Sequence, residues 1–297
     1  MLWAACSDGV QTPTGPGPGP GPGPGTGEVA VLVGAGDIAV CGSANDDATA
    51  RLLDGQPGTV FAAGDLAYFQ GTAEQFRNCY DPSWGRHRAR TRPAPGNHEY
   101  ESADAGPYFL HFSLAAGTPG LGYYRYRSGA WQVYSLNSNM EASSRGIQIP
   151  WLRSELAAQP SECTVAYFHH PRFSSGPHGL SPPVPIVRDL WFALYEAGVD
   201  IVISAHEHFY ERFAPQDPSG RPDPEYGIRE FVVGTGGAPL TEPLRRLPNS
   251  EAVFVNFGIL RLTLAPLSYN WEFLSTDGGA VLDSGSGRCH AARPESQ

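Results

Sequence analysis

Five short apolar segments of this chain each end in side chains that commonly bind metal ions. The segments lead into Asp37, Asp65, Asn97-His98, His169 and His206-x-His208. An apolar run that ends in this way predicts a buried strand followed by a turn. In open α/β sheets, sites gather at the carboxyl ends of the strands. Residues far apart in the sequence should therefore converge in space, which restricts the fold to one that brings these strand ends together.

The residue types at these strand ends suit hard and borderline metal ions. They comprise two carboxylates, an amide oxygen and three imidazoles, joined by a phenol three residues after Asp65. The predicted ligands are Asp37, Asp65, Tyr68, Asn97, His169, His206 and His208. If Asp65 is shared, these side chains form two sites that keep room for water and a substrate. Taken singly, Asp37 could be an ordinary turn carboxylate and Tyr68 a packed aromatic residue.

Strand-like and helix-like segments alternate through the first half of the chain, and the last quarter is nearly all strand-like. This order predicts an α/β fold with two packed mixed β-sheets flanked by helices. Residues 44–53, 150–158 and 185–197 are expected to form helices, the first of them capped by Ser43. Residues 252–264 are expected to form a strand, and residues 234–237, Gly-Thr-Gly-Gly, a tight turn.

Residues 1–27 differ in character from the rest of the chain. Gly and Pro alternate through most of residues 13–27, and glycine at every second position excludes a collagen triple helix. We expect a solvated linker that precedes a folded domain of residues 28–297. Cys6 follows small residues and resembles the lipid-bearing cysteine of a bacterial lipoprotein signal, although most of such a signal is missing. A chance cysteine near a disordered end is the alternative.

Four cysteines remain when Cys6 is set aside: Cys41, Cys79, Cys163 and Cys289. Four cysteines allow three pairings, of which we favour Cys41–Cys79 and Cys163–Cys289. Disulfides fit an exported protein that is extracellular, periplasmic or anchored at the cell surface through a lipid on Cys6. Four buried thiols in a cytosolic protein are the alternative.

The charge of the chain bears on its partners. The formal net charge of the 297 residues is -10. An acidic chain is unsuited to a dedicated nucleic-acid partner, because such proteins neutralise phosphates with lysine and arginine. Small phosphate esters remain possible substrates, since bound metal ions make a site locally cationic. No run of about 18 apolar residues occurs, so the sequence predicts no membrane-spanning helix. The oligomeric state stays open.

In this order, the motifs resemble those of the calcineurin-like metallophosphoesterases. The matching motifs are Gly36-Asp37, Gly64-Asp65-Leu66-Ala67-Tyr68, Gly96-Asn97-His98-Glu99, His169 and His206-x-His208. Tyr68 points to the purple acid phosphatase-like branch. The resemblance implies a four-layer α-β-β-α sandwich, with residues 28–297 as the catalytic domain.

The resemblance also implies which residues hold which metal ion. By position, the ligands of the first ion are Asp37, Asp65, Tyr68 and His208, and those of the second are Asp65, Asn97, His169 and His206. In that branch the first ion is Fe³⁺, because a tyrosinate prefers a trivalent ion. The second is Zn²⁺, Mn²⁺ or Fe²⁺.

The activity implied is the hydrolysis of phosphate esters, foremost phosphomonoesters, by in-line attack of a metal-bound hydroxide. His98 would protonate the leaving oxygen, and His178 would contact the substrate. Gln70 stands where many plant relatives have aspartate, which leaves the orientation of His98 open. A phosphodiesterase with the same metal centre is one alternative. A metal-dependent protein that binds phosphate without hydrolysing it is the other.

Two residues beside the predicted ligands are expected to have other roles. His170 should point away from the site if its strand continues, with its ring nitrogens bound locally. Glu207, between His206 and His208, should lie behind the ligands or face solvent.

Overall fold

The structure is a computed structural model that describes residues 28–140, 145–180 and 185–290. Cys6 and the predicted linker lie outside the described residues, as do residues 141–144, 181–184 and 291–297. Within the described ranges, no helix is long and apolar enough to cross a membrane.

Strands make up most of the regular structure. In chain order they are β1 (Ala30–Ala35), β2 (Ala39–Val40), β3 (Thr59–Ala63), β4 (Ala67–Tyr68), β5 (Thr91–Ala94), β6 (Tyr124–Ser128), β7 (Trp131–Ser135), β8 (Thr164–Tyr167), β9 (Ile201–Ser204), β10 (Tyr210–Phe213), β11 (Arg229–Val233), β12 (Ser250–Phe254), β13 (Gly258–Ala265), β14 (Ser268–Ser275) and β15 (Val281–Arg288). The helices are α1 (Asn45–Asp54), α2 (Ala73–Gln75), α3 (Gly106–Phe112), α4 (Arg145–Ala158) and α5 (Pro185–Glu196). Short helical turns span Phe76–Tyr80, Trp84–Arg90, His98–Glu101, Ala103–Ala105, Ser113–Ala116 and His178–Leu180.

Two large mixed sheets form the centre of the fold. The first has the strand order β15-β14-β13-β1-β3-β5, and the second has the order β12-β10-β11-β9-β8-β7-β6. Strands β1, β3 and β5 are parallel to one another, as are β7, β8, β9 and β11. The carboxyl ends of neighbouring parallel strands therefore meet at one edge of each sheet.

The side chains of the second sheet alternate between two apolar clusters. Val165 and Ile203 belong to the cluster that also contains Val60 and Phe61 of the first sheet. Ala166, between the inward-facing residues of β8, belongs to the cluster that contains side chains of α4 and α5. This period of two follows from the pleat of a strand. One cluster therefore joins the two sheets and the other joins the second sheet to its helices, which confirms the predicted α/β fold of two mixed sheets flanked by helices.

Three predicted boundaries were wrong. Residues 252–264 form two strands in different sheets, since β12 pairs with β10 and β13 pairs with β1. Both stretches are apolar, so the pattern alone does not show where the chain crosses between sheets. Helix α4 starts at Arg145, and Pro150 lies inside it. Helix α1 has Ala44 at its N-cap, although the hydroxyl of Ser43 accepts the N–H of Asn45 at 3.2 Å.

The structure contains two disulfides, Cys41–Cys79 and Cys163–Cys289, with Cα–Cα distances of 5.0 and 5.3 Å. The first joins residues near β2 to the helical turn Phe76–Tyr80. The second joins the start of β8 to the residue that follows β15, across a sequence separation of 126. Each bond matches the pairing expected from the sequence.

Candidate metal centre

The predicted ligands follow strands of both sheets. Asp37, Asp65 and Asn97 come after β1, β3 and β5 of the first sheet. His169 comes after β8 of the second sheet, and His206 and His208 come after β9. The centre therefore lies where the carboxyl ends of strands from the two sheets meet.

Sharp turns at three of these strand ends aim side chains into the centre. Asp37, Asp65 and His206 have φ values of 57°, 54° and 69°, in the left-handed region. This conformation costs a non-glycine residue about 1–3 kcal/mol and tends to cluster at functional sites. The preceding Gly64 is also required, because a Cβ there would lie 2.6 Å from Nδ1 of His169.

The first group of predicted ligands consists of Asp37, Tyr68, His208 and Asp65, the last predicted to be shared. The Tyr68 hydroxyl donates to Oδ1 of Asp37 at 2.6 Å and lies 3.2 Å from Oδ2 of Asp65. The same hydroxyl lies 3.2 Å from Nε2 of His208, and that nitrogen lies 3.3 Å from Oδ1 of Asp37. These polar atoms converge on a small volume at the edge of the sheets.

The second group of predicted ligands consists of Asn97, His169, His206 and, again, Asp65. Nε2 of His169 lies 3.1 Å from Oδ1 of Asn97, 3.1 Å from Nδ1 of His206 and 3.1 Å from Oδ2 of Asp65. Asp65 is therefore in contact with both groups through the same carboxylate oxygen. Its other oxygen, Oδ1, accepts the backbone N–H of His98 at 2.9 Å.

Backbone carbonyls fix the orientation of two imidazoles. Nδ1 of His169 lies 2.9 Å from the carbonyl oxygen of Ala63, and Nδ1 of His208 lies 2.8 Å from that of Pro239. A nitrogen that faces a carbonyl oxygen carries a proton, so Nε2 of each ring is the nitrogen that turns its lone pair toward the centre once the ring is deprotonated. Metal-binding histidines commonly have their second nitrogen held in this way.

The charges in the centre depend on one another. Burial would raise the pKa of Asp37, but the neighbouring His208 holds it below the ordinary value. Burial lowers the pKa of both His169 and His208. The carboxylate of Asp65 outweighs this effect at His169, and that of Asp37 outweighs it at His208, so both pKa values are about 9. Burial, then Asp37 and Asp65, raise the pKa of Tyr68. Cations would displace protons from these groups, because metal ligands must be deprotonated.

The donor set fits a pair of metal ions. Asp37, Asp65 and His169 each offer a ligand atom within 4.8 Å of the others, and so do His169, His170 and His206. Carboxylate, amide, imidazole and phenol donors together suit iron, zinc and manganese. Asp37, Asp65 and His169 are also almost completely buried, and a buried polar cluster of this kind needs positive charge among its carboxylates.

Glu99 is a buried carboxylate whose role the sequence analysis missed. It accepts the backbone N–H groups of Asp65, Leu66 and Gly96 at 2.9, 2.8 and 2.7 Å. It thereby joins the turn after β3 to the turn after β5. Burial and the charge of Asp65 raise the pKa of Glu99 to about 7. The sequence offers one indication that Glu99 belongs to the centre, namely its position in the Gly96-Asn97-His98-Glu99 motif.

His98 and His178 lie at the rim of the centre. Nδ1 of His98 donates to the carbonyl oxygen of Phe69 at 2.6 Å, and its Nε2 lies 3.8 Å from Oδ2 of Asp65. This backbone contact gives the orientation of His98 that the sequence left open. The His178 side chain is 55% exposed, and its ring centroid lies 4.1 Å from that of His206.

The residues beside the ligands differ partly from expectation. The His170 ring lies on the same side as the ligands, 4.5 Å from the His206 ring, because β8 ends at Tyr167 and its alternation stops there. Its Nδ1 is bound locally, 2.8 Å from the Ser138 hydroxyl. Glu207 is buried and does not face solvent.

The Gly-Thr-Gly-Gly segment of residues 234–237 packs against the turn that carries Asp37. Gly236 N–H donates to the carbonyl of Gly36, and Ala238 N–H donates to that of Asp37, both at 2.9 Å. This segment therefore supports a ligand-bearing turn and is not followed by a helix.

Solved structures share this arrangement of sheets. Purple acid phosphatase PPD1 from seeds of yellow lupin (Lupinus luteus) is similar with a TM-score of 0.75 and 21% identity, over 90% of this chain and 55% of that chain. GAP50 of Plasmodium, an anchor in the inner membrane complex, is similar with a TM-score of 0.72 and 14% identity, over 89% and 90% of the two chains. The fold is that of the metallophosphoesterases.

Sequence comparison identifies the family. The model of the calcineurin-like phosphoesterases matches residues 31–210, and the chain belongs to this family. Purple acid phosphatase 23 of Arabidopsis thaliana is 26% identical over 231 residues, which cover 63% of this chain and 48% of the relative. Purple acid phosphatase 21 of Arabidopsis thaliana is 28% identical over 267 residues, covering 77% and 58%. The chain spans about half the length of these curated relatives. The resemblance seen in the motifs is thus confirmed at the level of the family.

Proposed function

We propose that this protein is a dinuclear-metal hydrolase of phosphate esters, with phosphomonoesters as its main substrates. The observation that carries the proposal is the position of Asp65. One carboxylate oxygen lies within 3.2 Å of Tyr68 and within 3.1 Å of His169, so it can serve both ligand groups. A shared carboxylate is the arrangement that holds two ions close together, at about 3.5–4 Å in two-metal hydrolases.

The two groups favour different ions. Asp37, Asp65, Tyr68 and His208 would hold Fe³⁺, since a phenolate and two carboxylates favour a trivalent ion. Asp65, Asn97, His169 and His206 would hold Zn²⁺, Mn²⁺ or Fe²⁺. When bound, such a pair supplies an activated water and stabilises charge on the phosphoryl oxygens.

The rim histidines act on the substrate. Nδ1–H of His98 donates to the Phe69 carbonyl at 2.6 Å, so in the doubly protonated form of the ring it is the Nε2 proton that passes to the leaving oxygen. His178 contacts a phosphoryl oxygen from the side of the second group, where its ring lies 4.1 Å from that of His206. Both roles put positively polarised N–H groups where negative charge develops.

The test compares aryl phosphate monoesters with diesters. Purified protein of known metal content should hydrolyse p-nitrophenyl phosphate with a higher kcat/KM than bis(p-nitrophenyl) phosphate. The reverse order would favour the phosphodiesterase alternative. Absence of turnover across acid to neutral pH, with both metal ions bound, would contradict hydrolysis.

A substitution separates hydrolysis from simple binding of phosphate. His98→Ala should lower kcat by about 10²–10⁴-fold, the usual contribution of a general acid, with a smaller effect on inhibition by phosphate. The matched control is His87→Ala, because His87 contacts Asp54 and the Ala50 carbonyl in α1. Equal losses of turnover and phosphate affinity in His98→Ala would favour the non-catalytic alternative.

Export is part of the proposal. Two disulfides support an oxidising compartment, although they do not identify it. Membrane attachment through a lipid on Cys6 can be tested by mass spectrometry of the native protein and by fractionation of a Cys6→Ser variant. Wild-type protein found wholly in the unattached fraction would contradict lipidation. The proposed partner is a small phosphorylated molecule rather than a nucleic acid.

A further inference from the structure

The loop of residues 171–179 follows β8 and carries His178. Three buried carboxylates from the neighbouring chain segments hold its backbone N–H groups. The pairs are Glu230 with Arg172 and Phe173, Glu211 with Ser175, and Glu207 with His178 and Gly179, at distances of 2.7–3.3 Å. The loop is therefore attached to the second sheet along most of its length by hydrogen bonds from its backbone N–H groups to buried carboxyl groups.

Glu207 is the carboxylate nearest to the metal centre. It stands between the predicted ligands His206 and His208 in the sequence, and it is 1% exposed. Its Oε1 accepts the N–H of His178 at 2.7 Å, and its Oε2 lies 3.4 Å from Nδ1 of the His178 ring. A Cβ at Gly176 would lie 2.3 Å from Oε2, so this glycine lets the loop close over the carboxylate.

His178 needs such a partner because its side chain is 55% exposed. An exposed imidazole changes rotamer freely, and its two nitrogens are then equally available. A carboxylate beside Nδ1 keeps the proton on that nitrogen and turns Nε2 the other way. The ring is then held 4.1 Å from the His206 ring, above the second group of ligands.

We propose that Glu207 is a positioning residue for phosphate recognition, acting through His178. Its carboxylate binds the backbone and the ring of His178 together, and so presents the Nε2–H of the doubly protonated ring to a phosphoryl oxygen of the substrate. Glu207 also fixes the distance between Nε2 of His178 and the predicted ligands His206 and His208, which flank Glu207 in the sequence. The role of His178 rests on the proposed function.

A double-mutant cycle tests the coupling. Glu207→Ala and His178→Ala should each lower kcat/KM for p-nitrophenyl phosphate by about 10–100-fold, the usual loss for an orienting group, mainly through KM. In the His178→Ala background, Glu207→Ala should change kcat/KM by less than about twofold, because residues that act as a unit are not additive. Full additivity of the two losses would overturn the proposal.

Glu230→Ala is the matched control. It alters an equally buried carboxylate that binds the start of the same loop, at Arg172 and Phe173. It should leave kcat/KM within about twofold of wild type. A loss equal to that of Glu207→Ala would show that loop attachment in general is responsible, and would overturn a specific role for Glu207.

Phosphate binding separates this proposal from the proposed function. The dissociation constant of inorganic phosphate is measured by calorimetry on the metal-loaded full chain, with metal content determined for each variant. Binding should weaken in Glu207→Ala and not weaken further in the double variant, even if wild-type protein lacks turnover. If the Glu207→Ala protein loses its metal ions, the Glu207→Gln protein is measured instead, since the glutamine amide oxygen still accepts the two loop N–H groups. Unchanged phosphate affinity in a metal-loaded Glu207 variant would overturn the proposal.

Discussion

Replacing Asp65 with asparagine should remove both metal ions, whereas replacing Asp37 should remove one. Asp65 Oδ2 lies 3.2 Å from the Tyr68 hydroxyl and 3.1 Å from Nε2 of His169, so it contacts both ligand groups. Asp37 contacts the side chains of Tyr68 and His208, which belong to the first group, and from the second group it accepts the backbone N–H of His206 at 2.8 Å. The two variants are therefore expected to retain different numbers of metal ions per chain.

The change made by Asp65→Asn is chiefly one of charge. Asparagine keeps the shape of the side chain, and its oxygen can still accept the N–H of His98 that now binds Oδ1 at 2.9 Å. The first group goes from three potential anions to two. The second group loses its carboxylate and is left with an amide and imidazoles from among the predicted ligands. Both ions lose a direct anionic ligand.

The expected loss of stability follows from the linkage between metal binding and folding. Substituting groups that merely orient a ligand weakens metal binding by about 10–100-fold, so losing a direct anionic ligand should weaken each site by at least about 100-fold. A 100-fold loss removes about 2.7 kcal/mol of metal-dependent stability at each site. At about 2–4 °C per kcal/mol, the metal-dependent rise in Tm should shrink by about 5–10 °C per site.

The assay combines metal analysis after dialysis with calorimetric unfolding in the presence and absence of a chelator. The control is Asp46→Asn, because Asp46 is a carboxylate only 4% exposed in α1 and not among the predicted ligands. Asp65→Asn should lose both the metal ions and the metal-dependent shift in Tm. If Asp65→Asn keeps one tightly bound ion while Asp37→Asn keeps none, Asp65 is not the shared ligand.

Three further predictions concern the iron site, a buried carboxyl and a disulfide. Tyr68→Phe should abolish the tyrosinate-to-iron charge-transfer band of iron-loaded protein, and an unchanged visible spectrum would remove Tyr68 from the ligands. Burial raises the pKa of Asp200 from 3.8 to about 7. The protonated carboxyl therefore stabilises the folded state fully below pH 3.8, and this contribution is lost as the pH rises through about 7. Asp200→Asn should therefore lose less stability than wild type between pH values of about 4 and 8, by at most about 4 kcal/mol in urea unfolding; equal changes in the free energy of unfolding would contradict this. Cys163→Ser removes a disulfide between residues 126 positions apart and should lower the free energy of unfolding by about 2–5 kcal/mol. Equal unfolding midpoints of variant and wild type without reductant would argue against that bond.

That most of the predicted ligands lie close together could be foreseen from the sequence, because they follow apolar segments at strand ends, whereas Tyr68 lies in β4. Asp37 and Asp65 end runs whose strands proved to be neighbours, β1 and β3. The polarity pattern carries this information directly, since a polar residue after a buried strand must lie at the edge of the sheet. The α/β fold with two mixed sheets was accessible for the same reason.

The roles of Glu99 and Glu207 could not be found in this way. Each carboxylate binds backbone N–H groups of a segment whose position depends on the tertiary structure, and backbone donors have no sequence signature. Glu99 can reach Asp65 only because β3 and β5 are adjacent. The direction of His170 likewise depended on where β8 ended, and strand ends are poorly defined by local pattern.

The ligand set draws on both sheets, which has a consequence for the way this domain assembles. Asp65 and Asn97 follow strands of the first sheet, and His169 and His206 follow strands of the second. Neither sheet alone can offer either ion a full set of ligands. On the proposed assignment of ligands, high-affinity metal uptake would require that the two sheets have docked, so metal binding would report that docking. If iron binds as proposed, a colour that develops during refolding would time the docking without any added label.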